Sequence, residues 1–297
     1  MTLDSTAANG QAPGAPAGAA PAASEGAYRT GTLTTGAGEL DYAVFVPAAL
    51  PPAGQRALLV MIHGCTQDAA DFARGTRVNF AAARDGFVVL WPQQRQSNHF
   101  QKCWNWYLPE HSRRGAGEIE RLHALIAQTV AEQGIDAARV YLAGVSAGGA
   151  MAVNYAAAYP RDVRALMVHS APPALVASDV ASALATMKAG PSASAAELST
   201  RVRAAMGADA HAIPLLAMHG AEDPTVSPKN LEALAAQWLG VHALLGEPAR
   251  VETRLVPSLG HAWSGGDASG TYTNPSTESA TALMLAFLRS LGLPGQG

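Results

Sequence analysis

Charge is scarce in this sequence. Asp, Glu, Lys and Arg make up 14% of its 297 residues, and the formal net charge is -3. No basic stripe can be drawn on such a chain, which argues against nucleic acid as a partner. Long apolar runs are missing as well. None approaches the roughly 20 residues of a membrane-crossing helix, so no membrane span is expected. Cysteine is nearly absent, with Cys65 and Cys103 alone. Two such residues are ordinarily free thiols in a reducing cytosol. A bridge between them stays open, because both lie in stretches that carry chemistry. Residues 1–26 form an Ala/Gly/Pro/Ser tract without a basic n-region or a sustained apolar core, so they do not read as a secretory signal. The tract reads as a disordered tail. Cytoplasmic residence is the expectation, or secretion if sequence has been trimmed from the N-terminus.

What is present is a 48% hydrophobic content, enough for a full core. Residues 30–35 and 39–46 alternate around Gly36-Ala37-Gly38 and predict an antiparallel hairpin. The dense apolar runs 57–62 and 87–91 read as strands covered on both faces. Between them, residues 69–84 read as one helix with Gly86 as its stop. A long polar and aromatic loop follows from Gln93 to about Gly117. Residues 118–132 form an amphipathic helix. Strands are then expected at 139–145, 163–169, 213–219 and 251–256, and helices at 147–159, 229–239 and 276–291. Residues 170–212 carry only two weak helical stretches and read as an insertion over the sheet end. The alternation implies an α/β fold, a mostly parallel sheet with helices on both faces, in a single domain over residues 27–297.

The chemistry centres on Gly144-Val145-Ser146-Ala147-Gly148, set between a strand and a small-residue helix. This is a G-x-S-x-G nucleophile elbow in the context that gives the motif meaning. A serine in so sharp a turn leaves no room for side chains at Gly144 and Gly148. The helix after Ser146 aims its first amides at an oxyanion.

A serine nucleophile needs a base and a group that orients the base, in the chain order nucleophile, acid, histidine. Asp223 and Glu222 both follow the strand 213–219. Asp223 is the expected acid, because the Asp-Pro pair fixes the turn that presents it. His261, in the loop after the last strand, is the expected base. His63 and His219 end apolar strands and read equally well as structural or site residues, and His169 reads as structural. Ala147 N–H and Cys65 N–H are the expected oxyanion donors, with Gly64 allowing close approach. Trp104, Trp106, Tyr107 and Trp263 are expected to form the substrate wall. No metal or organic cofactor is needed.

Five ordered motifs now stand together: His63-Gly64-Cys65-Thr66-Gln67, Asp71 to Asn79, Cys103-Trp104-Asn105-Trp106, Gly144 to Met151, and Gly260-His261-Ala262-Trp263-Ser264-Gly265-Gly266. From about Tyr28 onward the chain resembles the polyhydroxybutyrate depolymerase family of esterases, nearest the intracellular members with a lipase-type box. The resemblance implies an α/β-hydrolase fold, Ser146 as nucleophile, Asp223 as acid and His261 as base. It also implies that Cys65 and Cys103 are paired. The implied partner is a polyester or small ester substrate, a polymer being met at a storage-granule surface. Feruloyl and acetyl-xylan esterases share parts of the pattern, so they are the rival substrate classes, with acyl transfer and a silent granule-binding protein behind them. Polyhydroxyalkanoate synthases are disfavoured, since their nucleophile is cysteine.

Overall fold

The computed structural model describes residues 26–295. The tail expected over residues 1–26 lies outside them, apart from Gly26, which opens the first strand. That strand, β1 (Gly26–Thr35), pairs antiparallel with β2 (Gly38–Pro47) around the expected glycine turn. Then come β3 (Arg56–Ile62), β4 (Val88–Gln93), β5 (Ile135–Val145), β6 (Ala165–His169), β7 (Leu215–Gly220) and β8 (Val251–Val256). They form one sheet in the order β1-β2-β4-β3-β5-β6-β7-β8. β2 meets β4 antiparallel, and each pairing from β4 to β8 is parallel. Where the central strands are covered on both faces they are apolar runs, as over 57–62 in β3 and 140–145 in β5. β8 closes the far edge, and its Glu252, Thr253, Arg254 and Leu255 are exposed.

The faces carry separate cores. On one, α3 (Gly117–Gln133), α4 (Ala147–Ala158) and α7 (Lys229–Leu245) pack with Leu58, Val60, Leu142 and Leu166. On the other, α1 (Ala69–Thr76), α2 (Val78–Asp85) and the closing α8 (Ala280–Arg289) pack with Leu59, Met61, Tyr141 and Met167.

Several expected bounds need correction: β5 begins at Ile135 rather than 139, α7 runs to Leu245 rather than 239, and two further helices differ for reasons visible in their contacts. The single helix over 69–84 is two, broken at Arg77, whose φ is 58°. The Gly75 carbonyl, which a continuous helix would use for the amide four residues on, instead accepts Asp267 N–H at 2.8 Å. A distant loop has captured one rung of the ladder. The closing helix starts at Ala280 rather than 276, where the Ser279 hydroxyl caps it by accepting Ala282 N–H at 3.1 Å.

The segment 170–212 holds α5 (Val180–Ala189) and α6 (Ala195–Met206). Their apolar period is weak, but each begins with a capping box, Asp179 with Ser182 and Ser194 with Glu197. Such boxes satisfy amides that the first turn leaves open. The C-terminal end of α5 reaches the loop after β7 and the start of α7: Ser227 N–H donates to Met187 O at 2.7 Å, and Asn230 Nδ2 to Thr186 O at 2.9 Å.

Candidate active site

β5 delivers Ser146 to the C-terminal edge of the sheet, and α4 begins at the next residue. Ser146 has φ 55° and ψ -124°, a conformation that costs a non-glycine residue about 1–3 kcal/mol. Its surroundings enforce it. Ser146 N–H donates to His169 O at 2.9 Å. A Cβ on Gly148 would lie 2.2 Å from Ile62 O, and one on Gly144 would lie 2.6 Å from the Gly148 carbonyl. The two glycines let β3, β5 and α4 converge on the serine.

Three loops meet there. His261 Nε2 lies 3.0 Å from Ser146 Oγ, and its Nδ1 lies 2.7 Å from Asp223 Oδ2. Asp223 Oδ1 accepts Thr225 N–H and Val226 N–H, each at 2.9 Å. Burial works against the Asp223 charge, but the nearby His219, the hydrogen bond from His261, the His261 charge and the Val226 amide outweigh it, so the carboxyl sits far below the usual carboxylate range. Glu222, the rival acid, is exposed and points into solvent. His219 is buried, donating through Nε2 to Val226 O at 2.8 Å and standing 3.4 Å from Asp223 Oδ2. It braces the acid loop from below.

Of the other histidines, His63 donates Nδ1–H to Gly64 O at 2.7 Å and accepts Gln94 N–H on Nε2 at 3.0 Å. Burial drives its pKa down to about 4, so it is a neutral structural residue. His169 is buried too, and burial, with His219 and His261 nearby, lowers it to about 3.

On the oxyanion side, Ala147 is the first residue of α4, where an amide has no partner within the helix. Cys65 follows Gly64 in the turn after β3. Gly64 N–H donates to Gln67 Oε1 at 3.0 Å, and Gln67 Nε2 reaches Asp71 Oδ2 at 3.2 Å and Thr271 O at 3.1 Å. Cys65 and Cys103 are disulfide-bonded, S–S 2.06 Å, which ties this turn to the aromatic loop.

A cleft of about 180 Å³ opens over Ser146 and His261. Its walls are Gly64, Cys65, Gln67, Val145, Met187, Thr225 and Tyr272. Sequence reasoning missed Gln67, Met187, Thr225 and Tyr272 as site residues. Gln67 lay within the first motif, two residues past Cys65, and Thr225 stands two residues past the expected acid Asp223. Met187 carried no signal.

The expected aromatic wall is corrected. Trp104, Trp106 and Trp263 are buried in the core, and neither they nor Tyr107 line the cleft. Trp104 is 0% exposed and donates Nε1–H to His63 O at 3.1 Å, so it props the oxyanion turn from beneath. The Trp106 backbone carbonyl accepts Ser112 Oγ–H at 2.7 Å and Asn154 Nδ2 at 2.8 Å. Trp263 sets its ring edge-on to Phe72 at 5.5 Å and donates to Thr281 Oγ1 at 3.0 Å. Tyr107 lies half-buried beside Trp106. The loop folds inward because the buried Glu118 carboxylate gathers Asn105 N–H at 2.7 Å, Asn105 Nδ2 at 2.6 Å and Gln94 Nε2 at 2.5 Å. With their N–H groups satisfied internally, Trp104 and Trp263 add more to the core than they would to a wet wall. Trp263→Ala is therefore expected to destabilise the fold by about 3–5 kcal/mol, read as a lower urea midpoint. An unchanged midpoint would contradict the core assignment.

Sheet order, elbow and the Ser146–His261–Asp223 chain define an α/β-hydrolase of the esterase type. Residues 40–253 match the family model described as Esterase PHB depolymerase, and the chain belongs to that family. Poly(3-hydroxyalkanoate) depolymerase C of Paucimonas lemoignei is 30% identical over 211 residues, 71% of this chain and 50% of that protein. The chain thus spans half the length of that relative. Feruloyl esterase B of Thermothelomyces thermophilus is 29% identical over 227 residues, 73% of this chain and 74% of its own. Among solved structures, an acetyl xylan esterase from Aspergillus awamori superposes with a TM-score of 0.69 at 20% identity, covering 78% of this chain and 94% of that one, a likeness of fold.

Proposed function

We propose that this protein is a serine carboxylic-ester hydrolase that cleaves polyhydroxybutyrate or its hydroxyalkanoate oligomers. The observation that carries the reading is the hydrogen-bonded chain from Ser146 Oγ through His261 to Asp223, beside an uncharged cleft. Ser146 Oγ attacks the ester carbonyl carbon while His261 Nε2 takes its proton. The carbonyl oxygen, now an anion, receives Ala147 N–H and Cys65 N–H. Asp223 keeps the Nδ1–H tautomer and stabilises the imidazolium. The C–O bond to the alcohol portion breaks as His261 returns the proton, leaving an acyl-serine. Water, deprotonated by the same histidine, attacks the acyl carbon and frees the carboxylic acid, restoring Ser146. A second reading, a feruloyl or acetyl-xylan type esterase, is favoured by the feruloyl esterase relative, which matches along most of its length.

One enzyme preparation should be assayed on amorphous polyhydroxybutyrate granules, hydroxybutyrate oligomers, methyl ferulate and acetylated xylan. Faster release of hydroxybutyrate than of ferulate or acetate is the expected result. Ferulate or acetate released faster than hydroxybutyrate would transfer the enzyme to the second reading.

A further inference from the structure

With the tryptophans withdrawn into the core, the large side chains left at the cleft are Met187 and Tyr272. Tyr272 is 50% exposed, so its ring is free to meet a ligand. Its backbone has φ 51°, a left-handed conformation that persists in a non-glycine residue only where neighbours enforce it. They do so here: Trp263 N–H donates to Tyr272 O at 2.7 Å, and Thr271 N–H to Asp71 Oδ1 at 3.1 Å. Through Thr271, Gln67 joins this loop to the Gly64 amide. The phenol is therefore held in fixed relation to the oxyanion turn.

The direction of its hydrogen bond follows from a count of protons. Thr66 Oγ1 lies 2.6 Å from Cys65 O and 3.2 Å from the Tyr272 hydroxyl. Threonine has one hydroxyl hydrogen, and the shorter contact is to a carbonyl that can only accept. That hydrogen belongs to Cys65 O, so the Tyr272 O–H donates to Thr66 Oγ1. The phenol oxygen then keeps acceptor capacity at the cleft, beside the apolar Val145 and Met187.

We propose that Tyr272 is the specificity-determining residue of this cleft, accepting a hydrogen bond from the free hydroxyl of a hydroxyl-terminal 3-hydroxyacyl unit, the one unit of a polyester chain whose 3-oxygen keeps its hydrogen. The proposal rests on the ester-hydrolase reading above and says how the cleft would recognise the 3-hydroxyacyl class named there. An acyl chain without the hydroxyl gains nothing from the phenol oxygen.

The test compares kcat/KM on para-nitrophenyl 3-hydroxybutyrate and para-nitrophenyl butyrate in the wild type, Tyr272→Phe and Thr225→Val. Thr225 supplies a second hydroxyl at the cleft. The wild type is expected to favour the hydroxylated ester by about tenfold, the worth of one neutral hydrogen bond. Tyr272→Phe should bring the ratio close to one, and Thr225→Val should keep it. A ratio near one in the wild type, or one that survives in Tyr272→Phe, overturns the proposal. A ratio lost only in Thr225→Val also overturns it and moves the role to that residue. Misfolding that lowered both rates alike would leave the ratio in place. Failure of the ester-hydrolase reading looks different: the wild type would turn over neither ester.

Discussion

Ser146→Ala is expected to lower kcat on an activated ester by about 10⁴–10⁶, with the unfolding midpoint little changed. The size follows from the chemistry. Without Oγ no acyl-enzyme forms, and His261 has no proton to take. The Ala147 and Cys65 amides stay in place, so a residual rate above the uncatalysed reaction should persist. The near-constant stability follows from the backbone. Ser146 sits at φ 55° and ψ -124°, and alanine carries the same Cβ into the same strain. Ser146→Gly separates the two effects. It should be equally inactive but melt no lower than Ser146→Ala, because it releases the Cβ strain against its own loss of chain entropy. A burst of alcohol release that survives in both variants would place the nucleophile elsewhere.

The parts of this site that could be read from sequence are those fixed by local sterics. Gly144 and Gly148 are required wherever strand, serine and helix meet so closely, and backbone atoms 2.2–2.6 Å from their missing Cβ positions show why. Asp223 and His261 follow from strand order, since a parallel sheet brings each strand's C-terminal loop to one edge. The aromatic loop was misread because composition gives a residue's chemistry and not its direction. Trp104 could face a substrate or the core, and the choice was made by Glu118, whose buried carboxylate draws Asn105 inward. Tyr272 and Met187 were invisible for a different reason. Their places depend on contacts between residues far apart in the chain, such as Gln67 with Thr271 across 204 positions, which no local pattern encodes.

Asp223→Asn should cost about 10⁴ in kcat while the protein stays folded, and the cause is a shortage of acceptors. The carboxylate uses Oδ1 for the Thr225 and Val226 amides and Oδ2 for His261 Nδ1–H. Asparagine has one oxygen. If it faces the amides, its NH₂ confronts Nδ1–H and drives the histidine to the other tautomer, with the proton on the nitrogen that should receive it from Ser146. If it faces His261, two buried amides meet a donor and the loop loosens. The pH dependence distinguishes charge from shape. Burial raises the carboxyl's pKa, but the histidines and the Val226 amide pull it well below its ordinary value of 3.8. A folded-state pKa below the unfolded one means stability that is fully present above about pH 4 and lost as pH falls further. Denaturation at pH 7 should therefore show the wild type more stable than Asp223→Asn, and the gap should narrow at pH 3. A gap that is equal at both pH values would mean that the partners recognise the shape of Asp223 and do nothing to keep it ionised. The Asp–His pair would then orient the imidazole without stabilising its charged form.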